Sequence, residues 1–146
     1  MKTPLFPVLL ALATSGCASL GAPLQKECIH ENERSETEIG YCRAVRVGNA
    51  LYISGAAAEG DMPTAIRSVY GRLQQTLEHN GLSYADVVRE VVYATDLDAF
   101  IQHKELRRAF YGSTLPAATW VQVQRLYVPS LVVEVELTAI DRGASR

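Results

Sequence analysis

Apolar and polar positions alternate with a period of two in two C-terminal stretches, residues 116–126 and 131–140. Both are rich in Val, Leu and Ile, the mark of strands with one buried face, and the intervening 127–130 with Pro129 suits a turn. The pattern predicts two paired strands. Glu134 and Glu136 are two apart and share a strand face, so that face is either wet or a site. Upstream, Val45 and Val47 alternate with Arg46, Gly48 and Asn49 make a turn, and 51–55 forms the second arm of a hairpin.

From Pro63 the period lengthens. Ile66, Val69, Tyr70, Leu73 and Leu77 follow helical spacing, and Asn80-Gly81 closes the helix. Residues 87–93 are β-branched and short, a strand. Asp98 is then read as the cap of a second helix whose Ala99, His103, Leu106 and Phe110 share a face, with His103 as a packed histidine, and Gly112 and Pro116 end it. A weak extra strand is expected near Cys28. The order strand, strand, helix, strand, helix, strand, strand predicts an α+β fold, one antiparallel or mixed sheet with both helices on a single face. The half-polar opposite face argues for self-association.

Composition narrows the function classes. With 146 residues, 48% hydrophobic and 21% charged, the chain suits one globular domain, and its formal charge of −2 leaves no electrostatic footprint for nucleic acid. Lys2, the apolar run 5–13 and the small residues before Cys17 read as an export signal over 1–17. That run is under half of the about 20 residues a transmembrane helix needs. Ser15, Gly16 and Cys17 resemble a bacterial lipoprotein signal, with Cys17 as the lipidated residue, although Thr14 stands where Leu is usual. Membrane contact would then be through the lipid alone, on the periplasmic side, and Ala18 suits the outer membrane. Residues 18–27 read as a tether and 28–142 as the folded domain.

An oxidising compartment leaves Cys28 and Cys42 either bridged or as free buried thiols. Between positions 27 and 38 five acids accompany one Arg, which reads as a solvated loop or edge strand. Cys28 and His30 lack a second cluster at ligand spacing, so no metal site and no cofactor is expected.

Taken together, Gly40-Tyr41, LYISG at 51–55, HNGL at 79–82, DVVREVVYATDLDAF at 86–100, LPA at 115–117 and VVEVEL at 132–137 resemble the RidA/YjgF family from Tyr41 to Ile140. The resemblance implies a chorismate-mutase-like α+β fold, a homotrimer, and clefts between subunits for small carboxylic acids. Carried over by position, Tyr41, Ser54, Gly55 and Glu134 match cleft residues of deaminating members, with Glu134 and its neighbours holding the water that attacks a reactive imine. Three positions depart. Ala118 replaces the arginine that clamps the substrate carboxylate, Trp120 stands where Cys is common, and Lys104 replaces an Asn of the second helix. Trp120 would either wall the cleft or pack at an interface. Arg43, two residues from Tyr41, is the one nearby cation that reaches toward the site, or else an exposed structural Arg. The implied functions are therefore two: hydrolysis of imines or enamines with release of ammonia, or non-catalytic binding of a small molecule by a trimeric lipoprotein.

Overall fold

A computed structural model describes residues 25–143, so the export signal, Cys17 and most of the tether lie outside the described residues. The chain runs β1 (Lys26–Ile29), α1 (Glu33–Ile39), β2 (Ala44–Val47), β3 (Ala50–Glu59), α2 (Met62–His79), a 3₁₀ turn (Tyr84–Asp86), β4 (Val87–Ala94), α3 (Leu97–Gln102), α4 (Lys104–Tyr111), β5 (Ala117–Gln122) and β6 (Leu131–Ile140). The strands form one mixed sheet in the order β1-β2-β3-β6-β4-β5. The fold class is α+β, as the element pattern predicts.

The period-2 reading of β6 holds along its whole length. Val133, Val135, Leu137 and Ala139 are buried toward the helices, and the residues between them are half-buried on the other face. They meet Leu51, Ile53 and Ala56 of β3 and the α2 stripe of Ile66, Val69, Tyr70, Leu73 and Leu77 in one core. Each fully buried Leu or Ile in such a core contributes about 1.5–3 kcal/mol. Helix α2 starts where Asp61 Oδ1 accepts the Thr64 N–H at 3.0 Å, with Pro63 in the first turn. The β2–β3 hairpin pairs Val47 with Ala50 across Gly48 and Asn49. The extra strand near Cys28 is present as β1, at the sheet edge.

Three expectations need correction. The two C-terminal strands are not partners: β4 lies between them, antiparallel to β6 and parallel to β5. A parallel neighbour requires a crossover, which α3 and α4 supply. The 123–130 connection then passes the end of β4, where Val123 N–H donates to Ala94 O at 2.9 Å and Thr95 N–H donates to Val132 O at 3.0 Å. Alternation alone reports a face, never a partner.

The second helix is capped by Asp96, whose Oδ1 accepts Ala99 N–H at 2.9 Å, and Asp98 lies in its first turn. It breaks at half-buried His103 into α3 and α4. The break turns the inward face to Phe100, Arg107 and Tyr111, leaving Leu106 and Phe110 only partly buried. Finally, the acidic segment read as loop or edge strand holds α1 as well as β1. Asn32 Oδ1 caps α1 through Ser35 N–H at 3.2 Å, and Gly40 ends it in the left-handed region at φ 96°. Glu36, read as solvated, is only 3% exposed.

Candidate functional site

Tyr41, Ser54, Gly55 and Glu134 come together, as the sequence places them, in a cleft of about 350 Å³. Ile39, Ala57, Tyr127 and Leu131 complete its walls. Local chain geometry builds each part. The left-handed turn at Gly40 ends α1 and delivers Tyr41 to the rim, where it is 38% exposed. Register in the β3–β6 pair steps from Ile53 opposite Leu137 to Ala56 opposite Val135, so Ser54 and Gly55 together oppose Glu136. Such a bulge bends the strand and re-aims its residues, which is why bulges occur beside sites. Glu134 reaches in from the open face of β6, and its carboxyl group lies so close over Gly55 that a Cβ there would overlap Oε1. Only glycine leaves that space free.

Arg43 lies under the Ser54–Gly55 bulge and does not line the cleft. It is buried at 8% exposure, and its guanidinium donates to Ser54 O at 2.6 Å and Gly55 O at 3.3 Å. Both terminal nitrogens are thus engaged by the backbone under the bulge, and Nε lacks a hydrogen-bond partner among the described residues. The reading of Arg43 as an exposed structural residue is replaced by this buried one. The Ser54 hydroxyl donates to Cys42 O at 2.7 Å, so toward the cleft it offers lone pairs. Burial, followed by the neighbouring Glu136 carboxylate, pushes the Glu134 carboxyl above the ordinary range, and the Arg43 charge opposes that rise. The polar side-chain groups of the cleft are therefore a poised carboxyl group, a hydroxyl acceptor and the phenols of Tyr41 and Tyr127.

Ala118, Trp120 and Lys104 are not part of this cleft within one chain. Ala118 pairs with Glu90 and Trp120 with Val92, which puts both on the helix-bearing face of edge strand β5, whereas Glu134 pairs with Tyr93 on the opposite face. Lys104 is exposed at the start of α4. Trp120 instead packs edge-on against Phe100, with centroids 5.2 Å apart, and donates its indole N–H to Glu90 Oε1 at 3.0 Å.

Glu90 is the charged residue that the sequence pattern passed over. It is 0% exposed and accepts four hydrogen bonds, two on each oxygen: Arg107 Nε at 2.8 Å and Trp120 on Oε1, Tyr70 at 2.9 Å and Tyr111 at 2.6 Å on Oε2. Burial and then the Glu90 charge push the Tyr70 and Tyr111 phenols far up, so they stay protonated donors. No lone pair is left for a ligand, and the cluster is a structural one. Its signal was available, since position 90 has the same strand parity as buried Val92 and Ala94.

Cys28 and Cys42 are bridged, with Cα atoms 5.5 Å apart, closing a loop that contains α1 and Tyr41. The disulfide adds about 3 kcal/mol in the chain-entropy model. His30 joins them through the fold: the two sulfurs and a ring nitrogen of His30 lie within 4.8 Å of one another, a possible metal-ligand set. Sequence spacing missed it because Cys42 is brought back across α1.

The Endoribonuclease L-PSP family model matches residues 32–141. A RutC family protein of Pyrococcus abyssi is 30% identical over 126 residues, covering 80% of this chain and 98% of that protein. The 2-iminobutanoate/2-iminopropanoate deaminase of Escherichia coli is 28% identical over 122 residues, 75% of this chain and 94% of the enzyme. Among solved structures, a YjgF/YER057c/UK114 family member from Mycobacterium tuberculosis superposes with a TM-score of 0.72 at 30% identity, covering 80% of this chain and 99% of that one. With the matched span holding the bulge, the cleft and the whole sheet from β2 to β6, the chain belongs to the Endoribonuclease L-PSP family, the RidA/YjgF family of the sequence resemblance.

Proposed function

We propose that the cleft hydrolyses C=N bonds of imines or enamines that carry no carboxylate, releasing ammonia. The observation that carries this reading is the polarity of the cleft: among the described residues lining it, Glu134 is the one charged side chain, and the Ser54 hydroxyl proton is committed to Cys42 O. Both groups accept, so they suit the N–H groups of an imine or iminium nitrogen. Glu134 takes a proton from water as the water oxygen attacks the carbon of the protonated imine and passes it to the nitrogen of the resulting carbinolamine; as the C–N bond breaks, the carbinolamine hydroxyl gives its remaining proton to Glu134, leaving a carbonyl compound and ammonia. A carboxyl group raised above its ordinary range serves such two-way proton transfer better than a strongly acidic one.

A carboxylate on the substrate has no partner here. Arg43 is tied to two backbone carbonyls, and Ala118, which would meet a cleft only from a neighbouring subunit of the trimer proposed below, offers a methyl group. Charge-assisted hydrogen bonds are worth about 1.5–3 kcal/mol each, so a missing bidentate clamp removes powers of ten in rate. The deaminase name of the E. coli relative supports the reaction class, and the endoribonuclease description of the family finds no electrostatic support in a chain of charge −2.

We further propose that the working form is a homotrimer, exported and held at the membrane by lipid on Cys17. Ile39 and Tyr127, exposed at 59% and 77% although they wall the cleft, support cover by a second subunit. An assay of ammonia release from freshly generated imines tests the function. Uncharged imines turn over, 2-aminoacrylate-type imino acids are slow, Ala118→Arg speeds the latter, and Glu134→Gln slows both by about 10²–10⁴-fold. Ala118 also favours the second reading, a non-catalytic binder; it prevails if no imine turns over while small neutral amines still raise the melting temperature.

A further inference from the structure

The Cys28–Cys42 bridge has a histidine and a carboxylate built onto it. His30 Nε2 stands 3.1 Å from Cys28 Sγ, and its other nitrogen, Nδ1, is 2.7 Å from Glu36 Oε2. The second oxygen of Glu36 accepts the backbone N–H groups of Asn32 at 3.1 Å and Glu31 at 3.3 Å. Glu36 is thereby fixed from three directions at the start of α1, and it fixes the ring in turn. A carboxylate that accepts from one imidazole nitrogen leaves the other as a lone-pair donor of set orientation, which is how metal-ligating histidines are held. Here that second nitrogen faces sulfur.

We propose that Cys28, Cys42 and His30 form a metal site, masked by the disulfide and opened by its reduction, for a thiolate-preferring divalent ion of the zinc class. A dithiol supplies the two electrons: its own thiols become a disulfide, the Cys28–Cys42 bond breaks, and each sulfur takes up a proton. The ion then displaces both protons as two metal–thiolate bonds form, Nε2 donates its lone pair, and the metal keeps its oxidation state. Tetrahedral coordination with metal–sulfur bonds of about 2.3 Å asks the sulfurs to separate to roughly 3.7 Å. Cα atoms 5.5 Å apart allow this by side-chain rotation alone. Cys28 is exposed, so the reductant and the ion have a path, and the fourth position opens to solvent or a fourth ligand. Either linkage closes the same loop, so α1 and Tyr41 keep their places at the cleft in both states.

The test uses the full chain carrying Cys17→Ser, so that only the pair supplies thiolates. The protein is reduced with a phosphine, freed of reductant without air, and titrated with Co²⁺. One equivalent is expected to produce thiolate-to-cobalt charge-transfer absorption with the visible bands of a tetrahedral site, displaced by Zn²⁺ and absent from the oxidised protein. His30→Ala weakens binding at least tenfold while keeping the charge-transfer bands. Glu36→Gln, whose amide no longer holds Nδ1 as a carboxylate does, weakens it about 10–100-fold. If Glu36→Gln disturbs α1, the His30→Ala titration decides by itself. A reduced protein without charge-transfer absorption, or equal affinity with and without the His30 ring, overturns the proposal.

Discussion

Gly55 and Glu134 depend on each other. Because a Cβ at position 55 would occupy the space of the Glu134 carboxyl group, Gly55→Ala pushes the side chain off the floor while leaving the backbone, which has no positive φ there, unstrained. Displacing a reacting group by about 1 Å costs on the order of 10²-fold, and the expected result is a fall of that size in kcat with an unchanged unfolding midpoint. Protonation gives a second handle on the same carboxyl. Burial and Glu136 raise its folded-state value above 4.5, so the basic form appears only as the pH climbs past that ordinary value. Turnover should therefore fall on acidification through a point above 4.5, and Glu134→Gln should remove this limb together with about 10²–10⁴-fold of rate. Tyr41, Ser54, Gly55 and Glu134 were singled out through the resemblance of their short motifs to the family; strand parity alone does not select them, since adjacent Ser54 and Gly55 both line the cleft only at the register shift. The roles of Arg43 and Trp120 were not, since both are decided by partners more than ten residues away: Ser54 and Gly55 for one, Glu90 and Phe100 for the other.

At the scale of elements, α4 and β4 are joined by an ion pair placed where a hydrophobic contact would be expected. Arg107 is 7% exposed, bonds Glu90, and lies over the rings of Tyr111 and Trp120 at 4.7 and 5.2 Å. Removing one partner of a buried pair leaves an uncompensated charge, so Arg107→Met should cost about 3–5 kcal/mol in denaturant unfolding. The double change Arg107→Met with Glu90→Leu should recover only part of that, because the donors on Tyr70, Tyr111 and Trp120 then lose their acceptor. Helical period in 98–110 revealed a helix but not its break, because the apolar stripe through His103 and Leu106 competes with the demand of Glu90 for a cation, and the cation decides. Helix α1 escaped notice for a related reason: its one buried side chain is a glutamate, which no hydrophobic pattern reports.

Over the whole molecule, one sheet face is covered by helices and the other carries Tyr52 at 51%, Val88 at 44% and Val121 at 37% exposure. Such apolar area on an open sheet is what self-association buries. Light scattering is expected to give three chain masses, and Tyr52→Arg, which places a charge on that face beside Thr138, should shift the mass toward one. No described helix is long and apolar enough to cross a membrane. The lipid proposed on Cys17 predicts that Cys17→Ser releases the protein from the membrane fraction and lowers its mass by the acyl groups. An unchanged mass and distribution would refute the lipid.

The four candidate cleft residues came from the family resemblance of the motifs at 41, 51–55 and 132–137, whereas the local pattern of the amino-acid sequence by itself determined the alternation of β3 and β6, the α2 stripe and the α+β class. These follow from steric and solvation preferences that act within a few residues. Only the tertiary structure decided which strands are neighbours, that β4 separates β5 from β6, that Arg43 serves the Ser54–Gly55 bulge, and that Cys42 returns to Cys28 and His30. Each is a meeting of groups distant along the chain, and the free energy that selects it, burial of apolar area together with satisfaction of every buried charge, exists only once the chain has closed on itself.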